Sequence, residues 1–311
     1  MRSQTQSVIV TGVAGFIGRY VARFFSQQNW RVIGIDNSPT ENAPIHDLAA
    51  YHCLKLPSTE LSDLFQIYTP NVCIHCAGKA SVGLSISNPV ADFYGNTVLT
   101  FEILNALRLY APTCRFVFLS SASVYGNPIS LPVNEAHEIA PLSPYGFHKS
   151  QCEQLCVEFS KIYGVPTASL RIFSAYGSGL RRQVLWDICQ KVINTNSLTL
   201  QGTGKESRDF IHASDIARAI YMIATLAPME GEAYNLGSGN ETTILKLAKM
   251  ILKSLEYKCL PIFDQIIPLG TPLNWQADIS KLKSLGFESS VSLKQGVASF
   301  AVWSKSELQG Y

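Results

Sequence analysis

Residues 8–25 read VIVTGVAGFIGRYVARFF: an apolar run, a turn carrying Gly12, Gly15 and Gly18, then apolar side chains at helical spacing. Glycines at such a turn let the chain bend tightly and let the backbone approach a pyrophosphate. The charge of that group is stabilised by free amides and by the positive end of the following helix. Three glycines alone carry little information. Between a strand and a helix, they predict a dinucleotide-binding unit.

The same alternation continues outward. After VIVTG come a helix over residues 15–27, the strand-like runs RVIGID and NVCIHCAG, a helix over 96–109, the run RFVFLSS, a helix over 145–163 and the run TASLRIF. Short runs apolar on both faces and separated by helices predict an α/β fold, a Rossmann-type doubly wound parallel sheet. Beyond Phe173 the elements shorten, and RDFIHASDIARAIYMIATL and AYNLGSG read as returns to the main sheet. With no repeat or clean linker, residues 1–172 and returns from about 212–240 are expected to hold the cofactor. Residues 173–211 and 241–311 are then a smaller, discontinuous substrate lobe.

Composition narrows the partner. A net charge of +2 gives no reason to expect nucleic acid or an anionic membrane, so a small molecule is expected. No apolar run approaches the roughly 20 residues that span a bilayer, and the N-terminus shows no signal-peptide pattern, so the cytoplasm is expected. The eight cysteines mostly sit in apolar segments, as reduced core cysteines do. Cys73 and Cys76 form a CxxC without a second pair at zinc spacing, which favours packing over a metal; no metal is expected. The helices over 96–109 and 145–163 are apolar nearly all round, which fits deep burial or, the expectation adopted here, a homodimer through these two helices.

Three further features carry chemistry. Asp36, ending the second strand about 20 residues beyond the glycines, can accept both hydroxyls of an adenosine ribose and repel a 2'-phosphate, favouring NAD over NADP; the alternative is a turn-capping aspartate. The stretch SSASVYG, residues 120–126, opens a buried strand into hydroxyls. Tyr145 and Lys149 lie one helical turn apart, and an ammonium beside a phenol favours the phenolate, the form a general base needs.

With these residues in place, the chain resembles the extended short-chain dehydrogenases/reductases, in their NAD-dependent nucleotide-sugar epimerase/dehydratase group. The resemblance runs through TGVAGFIG, Asp36, HCAGKASV, Asn96, SSASVYG, YGFHK, LRIFSAYG, RDFIHASD, NLGSG and ADISK. It implies a catalytic triad of Ser121, Tyr145 and Lys149, with Tyr145 exchanging a proton with a sugar hydroxyl. Asn96 resembles the asparagine that supports the site from the adjoining helix. The cofactor is expected against Gly12, Gly15, Phe16, Ile17, Gly18, Asp36, Asn37, Ala77, Gly78, Lys79, Asn96, Tyr145, Lys149 and Phe173. The sugar is expected against Ser81, Val82, Ser121, Ser123, Tyr145 and Ser174.

The resemblance also narrows the reaction. Relatives that remove water or carbon dioxide carry acids just after the catalytic hydroxyl, where this chain has Ala122 and Ser123. What remains is 4-epimerisation through a transient ketone or, as the alternative, reduction of a 4-keto sugar; Asp36 favours the epimerase. A catalytically retired NAD-binding sensor or scaffold is the third reading, against which the intact triad stands.

Three departures concern the ligands. Leu54, Lys55 and Leu56 stand where relatives hold the adenine amine with an acid. Ser174 stands where many have an asparagine. No arginine follows Arg218, and Pro268 falls near the position of the usual phosphate-gripping one. Phosphate binding would then rest on Arg208, with Arg181 and Arg182 as further candidates or else an exposed helix start. Trp275 falls near the pocket wall, where it would restrict bulky substituents, or it packs the lobe.

Overall fold

The computed structural model describes residues 5–267, 270 and 272–310. Its strands are β1 (Ser7–Thr11), β2 (Arg31–Asp36), β3 (Ala50–Cys53), β4 (Val72–His75), β5 (Arg115–Ser121), β6 (Thr167–Ile172), β7 (Ser174–Tyr176), β8 (Thr199–Leu200), β9 (Ser207–His212), β10 (Glu230–Leu236), β11 (Glu241–Thr243) and β12 (Ile262–Phe263). Its helices are α1 (Phe16–Gln27), α2 (Glu60–Tyr68), α3 (Val82–Ser87), α4 (Pro89–Phe93), α5 (Leu99–Tyr110), α6 (Pro144–Tyr163), α7 (Gln183–Thr195), α8 (Ala213–Leu226), α9 (Ile244–Leu255), α10 (Ser280–Lys283) and α11 (Leu293–Gln309).

Seven strands form one parallel sheet in the order β10-β6-β5-β4-β1-β2-β3. Because side chains alternate along a strand, each central strand feeds two cores. Val8 and Val10 of β1 and Val117 and Leu119 of β5 pack with α1 and α8 on one face. Ile9, Phe116 and Phe118 pack with α2, α5 and α6 on the other. The doubly wound Rossmann-type expectation holds.

One expected element lands elsewhere. The strand in RDFIH, β9, does not return to the main sheet; it is the middle of a small sheet ordered β11-β9-β7. Only the following helix, α8, packs against the main layer, beside α1, and AYNL continues as β10 at the sheet edge. Sequence periodicity marks RDFIH as a strand but not its neighbours, which come from residues 174–176 and 241–243. A third core under α7, α9 and α11 carries the lobe, and a fourth, around Tyr125, Phe173 and Trp275, joins it to the sheet.

The helix expected over 96–109 begins earlier. Pro89–Phe93 is helical, Tyr94–Val98 winds as a π-helix, and α5 follows. Its inner side chains, Ile103, Leu104 and Leu107, are fully buried, while Phe101 and Leu109 are exposed. On α6, Phe147 is 53% and Ile162 70% exposed. These two helices therefore keep an apolar outer face.

Candidate active site

The C-terminal ends of β1, β4, β5 and β6 open into a cavity of about 1030 Å³. This is where parallel α/β sheets bind ligands, because the strand ends and helix starts converge there. The lobe supplies the opposite wall through Arg182, Gln183, Arg208, Phe210, Pro272 and Trp275.

The glycine turn fits a dinucleotide. Gly12 has φ +70°, and a Cβ there would lie 2.5 Å from the Ala77 amide nitrogen; a Cβ at Gly18 would lie 2.1 Å from the Gly12 carbonyl oxygen. Gly15 caps α1 without any side-chain hydrogen bond, so the first amides of the helix are not satisfied by a capping side chain. Gly12, Gly15, Phe16, Ile17, Gly18, Ala77, Gly78, Lys79 and Phe173 all line the cavity. Beneath them His75 Nδ1 lies 2.8 Å from Thr11 Oγ1, which accepts a bond from the Ala77 amide. Burial, and then the nearby Lys149 charge, push His75 down to about 3, so its imidazole is neutral.

Three expected cofactor residues lie outside the lining. Asp36, buried at the end of β2, accepts bonds from the amides of Ala14 and Ser38, which places its carboxylate against the glycine turn. Asn37 is exposed beside it. Asn96 is buried on the π-helical stretch, donating through Nδ2 to the Asp92 carbonyl. Its Oδ1 has no hydrogen-bond partner among the described residues and sits 2.8 Å from where a Cβ on Gly78 would lie.

Ser121, Ser123, Tyr145 and Lys149 meet in the cavity. The two serines come from the end of β5 and the 3₁₀ turn Ala122–Val124; Ser121 Oγ lies 3.0 Å from Ser123 Oγ and accepts the Ser123 amide. Tyr145 and Lys149 stand on the first turns of α6, which starts at Pro144 behind the Ser143 cap. Lys149 is buried, donates to the Leu119 carbonyl at 3.0 Å and holds its ammonium 5.8 Å from the centre of the Tyr145 ring. A hydroxyl, a phenol and an ammonium at one point can hold and move a proton on a substrate oxygen.

That arrangement rests on a buried clamp that spacing did not reveal. Glu153, further along α6, pairs with Arg171 of β6 at 2.7 Å and accepts a bond from Ser120 of β5. Arg171 also donates to the Tyr125 hydroxyl, which donates to Asn235 of β10. Every member is buried, so each polar group needs its partner, and α6 is tied to three strands.

In the lobe the expected arginines divide. Arg208 lines the cavity with its guanidinium 5.3 Å from the centre of the Trp275 ring, and it donates to the carbonyls of Ser207 and Leu273. Burial pulls it down to about 10, with Glu206 opposing, so it stays charged at neutral pH. Among the described residues it forms no ion pair. Arg182 also lines the cavity and donates to the Ala80 carbonyl across the cleft. Arg181 does not: it turns outward to Glu307 of α11, where both side chains are partly or fully in solvent. Arg181, expected as a further phosphate contact, thus stands away from the cavity lining, because the extended backbone at Arg182 sends successive side chains to opposite sides.

Trp275 stands in the cavity wall and is also a packing residue. It lines the cavity, and it packs edge-on to Phe173 while donating to the Gly126 carbonyl. Ser81 caps α3, and Ser81, Val82 and Ser174 face the cavity. Pro268 lies outside the described residues. Cys73 and Cys76 are thiols raised by burial, and no group of three or more potential metal ligands occurs among the described residues. No helix of the described residues is long and apolar enough to cross a membrane.

Comparison with known proteins bears on the same residues. Residues 8–237 match the model of the NAD dependent epimerase/dehydratase family. The chain is 32% identical over 304 residues to a putative UDP-glucose 4-epimerase of Methanocaldococcus jannaschii, covering 96% of this chain and 98% of that one. It is 28% identical over 324 residues to a UDP-glucuronate 4-epimerase of Thermodesulfobacterium geofontis, covering 97% of each. The solved UDP-glucuronic acid 4-epimerase of Bacillus cereus, in complex with UDP-glucuronic acid and NAD, superposes with a TM-score of 0.89 at 28% identity, over 98% of this chain and 100% of that one. With the family model laid over the glycine turn, the hydroxyl cluster and the Tyr145–Lys149 turn, this chain belongs to the NAD-dependent epimerase/dehydratase family.

Proposed function

We infer that the protein is an NAD-dependent nucleotide-sugar 4-epimerase, and the names of its relatives make UDP-hexoses the first substrates to try. The observation that carries this is what stands beside Ser121: Ala122 is fully buried in the joint between sheet and lobe, and Ser123 is a hydroxyl. The two carboxylates in the cavity lining are already engaged. Asp187 pairs with Lys191, and Glu206 is held by Thr203 and the Gly204 amide. Elimination and decarboxylation each want an extra acid or base, which these positions do not supply.

NAD, which the glycine turn and Asp36 would hold, would supply the hydride acceptor and donor that C4 inversion through a ketone requires. The chain's own residues do the rest. Tyr145 takes the proton of the C4 hydroxyl and later gives it back, Ser121 hydrogen-bonds the same oxygen, and the Lys149 ammonium stabilises negative charge on the phenol oxygen. Arg208, without an ion-pair partner among the described residues, holds the substrate diphosphate, with Arg182 at the cleft edge. We propose residues 1–172 with 212–240 as the cofactor domain and 173–211 with 241–311 as the sugar-binding lobe.

We also propose a homodimer through the apolar outer faces of α5 and α6, on which Phe101, Phe147 and Ile162 are exposed, and a cytoplasmic site of action, which eight free cysteines suit. Incubating the protein with UDP, GDP, dTDP and CDP sugars and reading C4 configuration by NMR tests the main proposal. Mass-neutral inversion at C4 supports it. A product lighter by water or carbon dioxide overturns it, and a gain of two hydrogens with stoichiometric NADH consumption selects the 4-keto reductase.

A further inference from the structure

We propose that Asp92 and His148 form a brace that positions the catalytic turn of α6, resting on the roles given above to Tyr145 and Lys149. His148 precedes Lys149 and turns away from the cavity toward α4. Its Nδ1 lies 2.6 Å from Asp92 Oδ2, and the two side chains are 12% and 3% exposed. The other carboxylate oxygen of Asp92 is buried without a hydrogen-bond partner among the described residues, so the imidazole is the contact that holds this acid. The Phe93 ring meets His148 edge-on, with centroids 5.4 Å apart, and limits its rotation.

The brace touches the site from two directions. The carbonyl of Asp92 accepts the Asn96 amide, and Asn96 backs the cavity wall at Gly78. One turn earlier on α6, the Tyr145 amide donates to the buried Ser85 hydroxyl, which donates to the Val82 carbonyl in the cavity wall. The helix segment bearing Tyr145 and Lys149 is thus gripped by α3 and α4 at two points, Ser85 and Asp92. An apolar contact could bury the same surface, but a short bond to a desolvated carboxylate also fixes rotation of the helix about its axis. Rotation matters because small misplacements of a catalytic group are costly: a shift of about 1 Å can cost about 100-fold in rate.

Neither residue lines the cavity, so both are positioning residues rather than catalytic ones. The test compares Asp92→Asn, His148→Gln and the double variant in kcat, KM, NAD affinity and Tm, with hydrogen exchange of residues 144–150. Each single variant is expected to lower kcat by about tenfold with KM and NAD affinity within about twofold of wild type, and to speed exchange across 144–150. The double variant, whose amides can still bond to each other, is expected to be no worse than the singles. Wild-type kcat in both singles, losses that multiply in the double variant, or a fall in kcat that only follows the loss of folded protein overturns the brace. If the wild type inverts no nucleotide sugar, the epimerase proposal fails by itself; the exchange measurement needs no substrate, and unchanged exchange across 144–150 then overturns the brace on its own.

Discussion

The half proposed to hold the cofactor and the lobe proposed to hold the sugar, here the cofactor half and the lobe, build their walls of one cavity in opposite ways. In the cofactor half each functional group sits at a fixed offset from a regular element: the glycines follow β1, Ser121 ends β5, and Tyr145 and Lys149 open α6. In the lobe the groups come from separate short pieces, and their partners are remote in sequence. Arg208 of β9 stacks on Trp275, Arg182 reaches Ala80, 102 residues away, and Arg181 reaches Glu307, 126 residues away. Backbone geometry places the groups proposed for chemistry in the first half; side-chain reach places those proposed for binding in the second. Mutations in the two halves should therefore separate turnover from substrate affinity.

The largest effect belongs to the cofactor half. Tyr145→Phe is expected to cut kcat by about 10² to 10⁴-fold while both NAD and substrate still bind, because only the proton-transfer group is removed. Single-turnover kinetics beside calorimetric binding check this. Near-normal turnover would take Tyr145 out of its role and break the division between the halves.

Arg208→Lys comes next and should act on affinity. It keeps the charge but loses the planar fork and the stack on Trp275. Losing a charge-assisted bond worth about 1.5 to 3 kcal/mol corresponds to about ten- to a hundred-fold weaker substrate binding. NAD affinity should hardly move. Equal substrate affinity in Arg208→Ala would move the phosphate anchor to another group, Arg182 first.

A smaller change is expected from Asp36→Ala, again in the cofactor half. It removes the carboxylate at the end of β2 and should narrow the preference for NAD over NADP by about tenfold, leaving substrate affinity alone. Titrating both nucleotides calorimetrically decides it; a wild-type protein that binds the two equally well would remove the basis for the NAD preference.

Arg181→Ala should do least. Its pair with Glu307 is solvent-exposed, and such pairs contribute about 0 to 1 kcal/mol to stability. Substrate KM within twofold of wild type and an almost unchanged Tm are expected. A tenfold rise in KM would show that the lobe moves enough in solution to bring Arg181 to the cavity, and would blur the contrast with Arg182.

What was legible in the sequence follows the same contrast. Glycines that must sit against a carbonyl, an apolar run ending in hydroxyls and a tyrosine four residues before a lysine are short-range constraints, visible at fixed spacing. They were sufficient for the sheet, the glycine turn and the Tyr145–Lys149 pair; the grouping of Ser121 with that pair came from the family resemblance. The pairing of β9 was not legible, because a strand's own pattern does not name its neighbours. Nor were the Glu153–Arg171 clamp and the Asp92–His148 pair, whose members look like ordinary surface-type residues until the fold buries them together.

By itself, then, the sequence determined the doubly wound architecture and the cofactor class, since the alternation of strands and helices and the glycine turn are written at short range along the chain. Only the tertiary structure decided which of two adjacent arginines faces the cavity, what Trp275 leans on and which buried pairs tie α6 to its neighbours. Those choices depend on which long polar side chains find a partner once water is excluded. That is settled by packing between elements up to 126 residues apart in the chain.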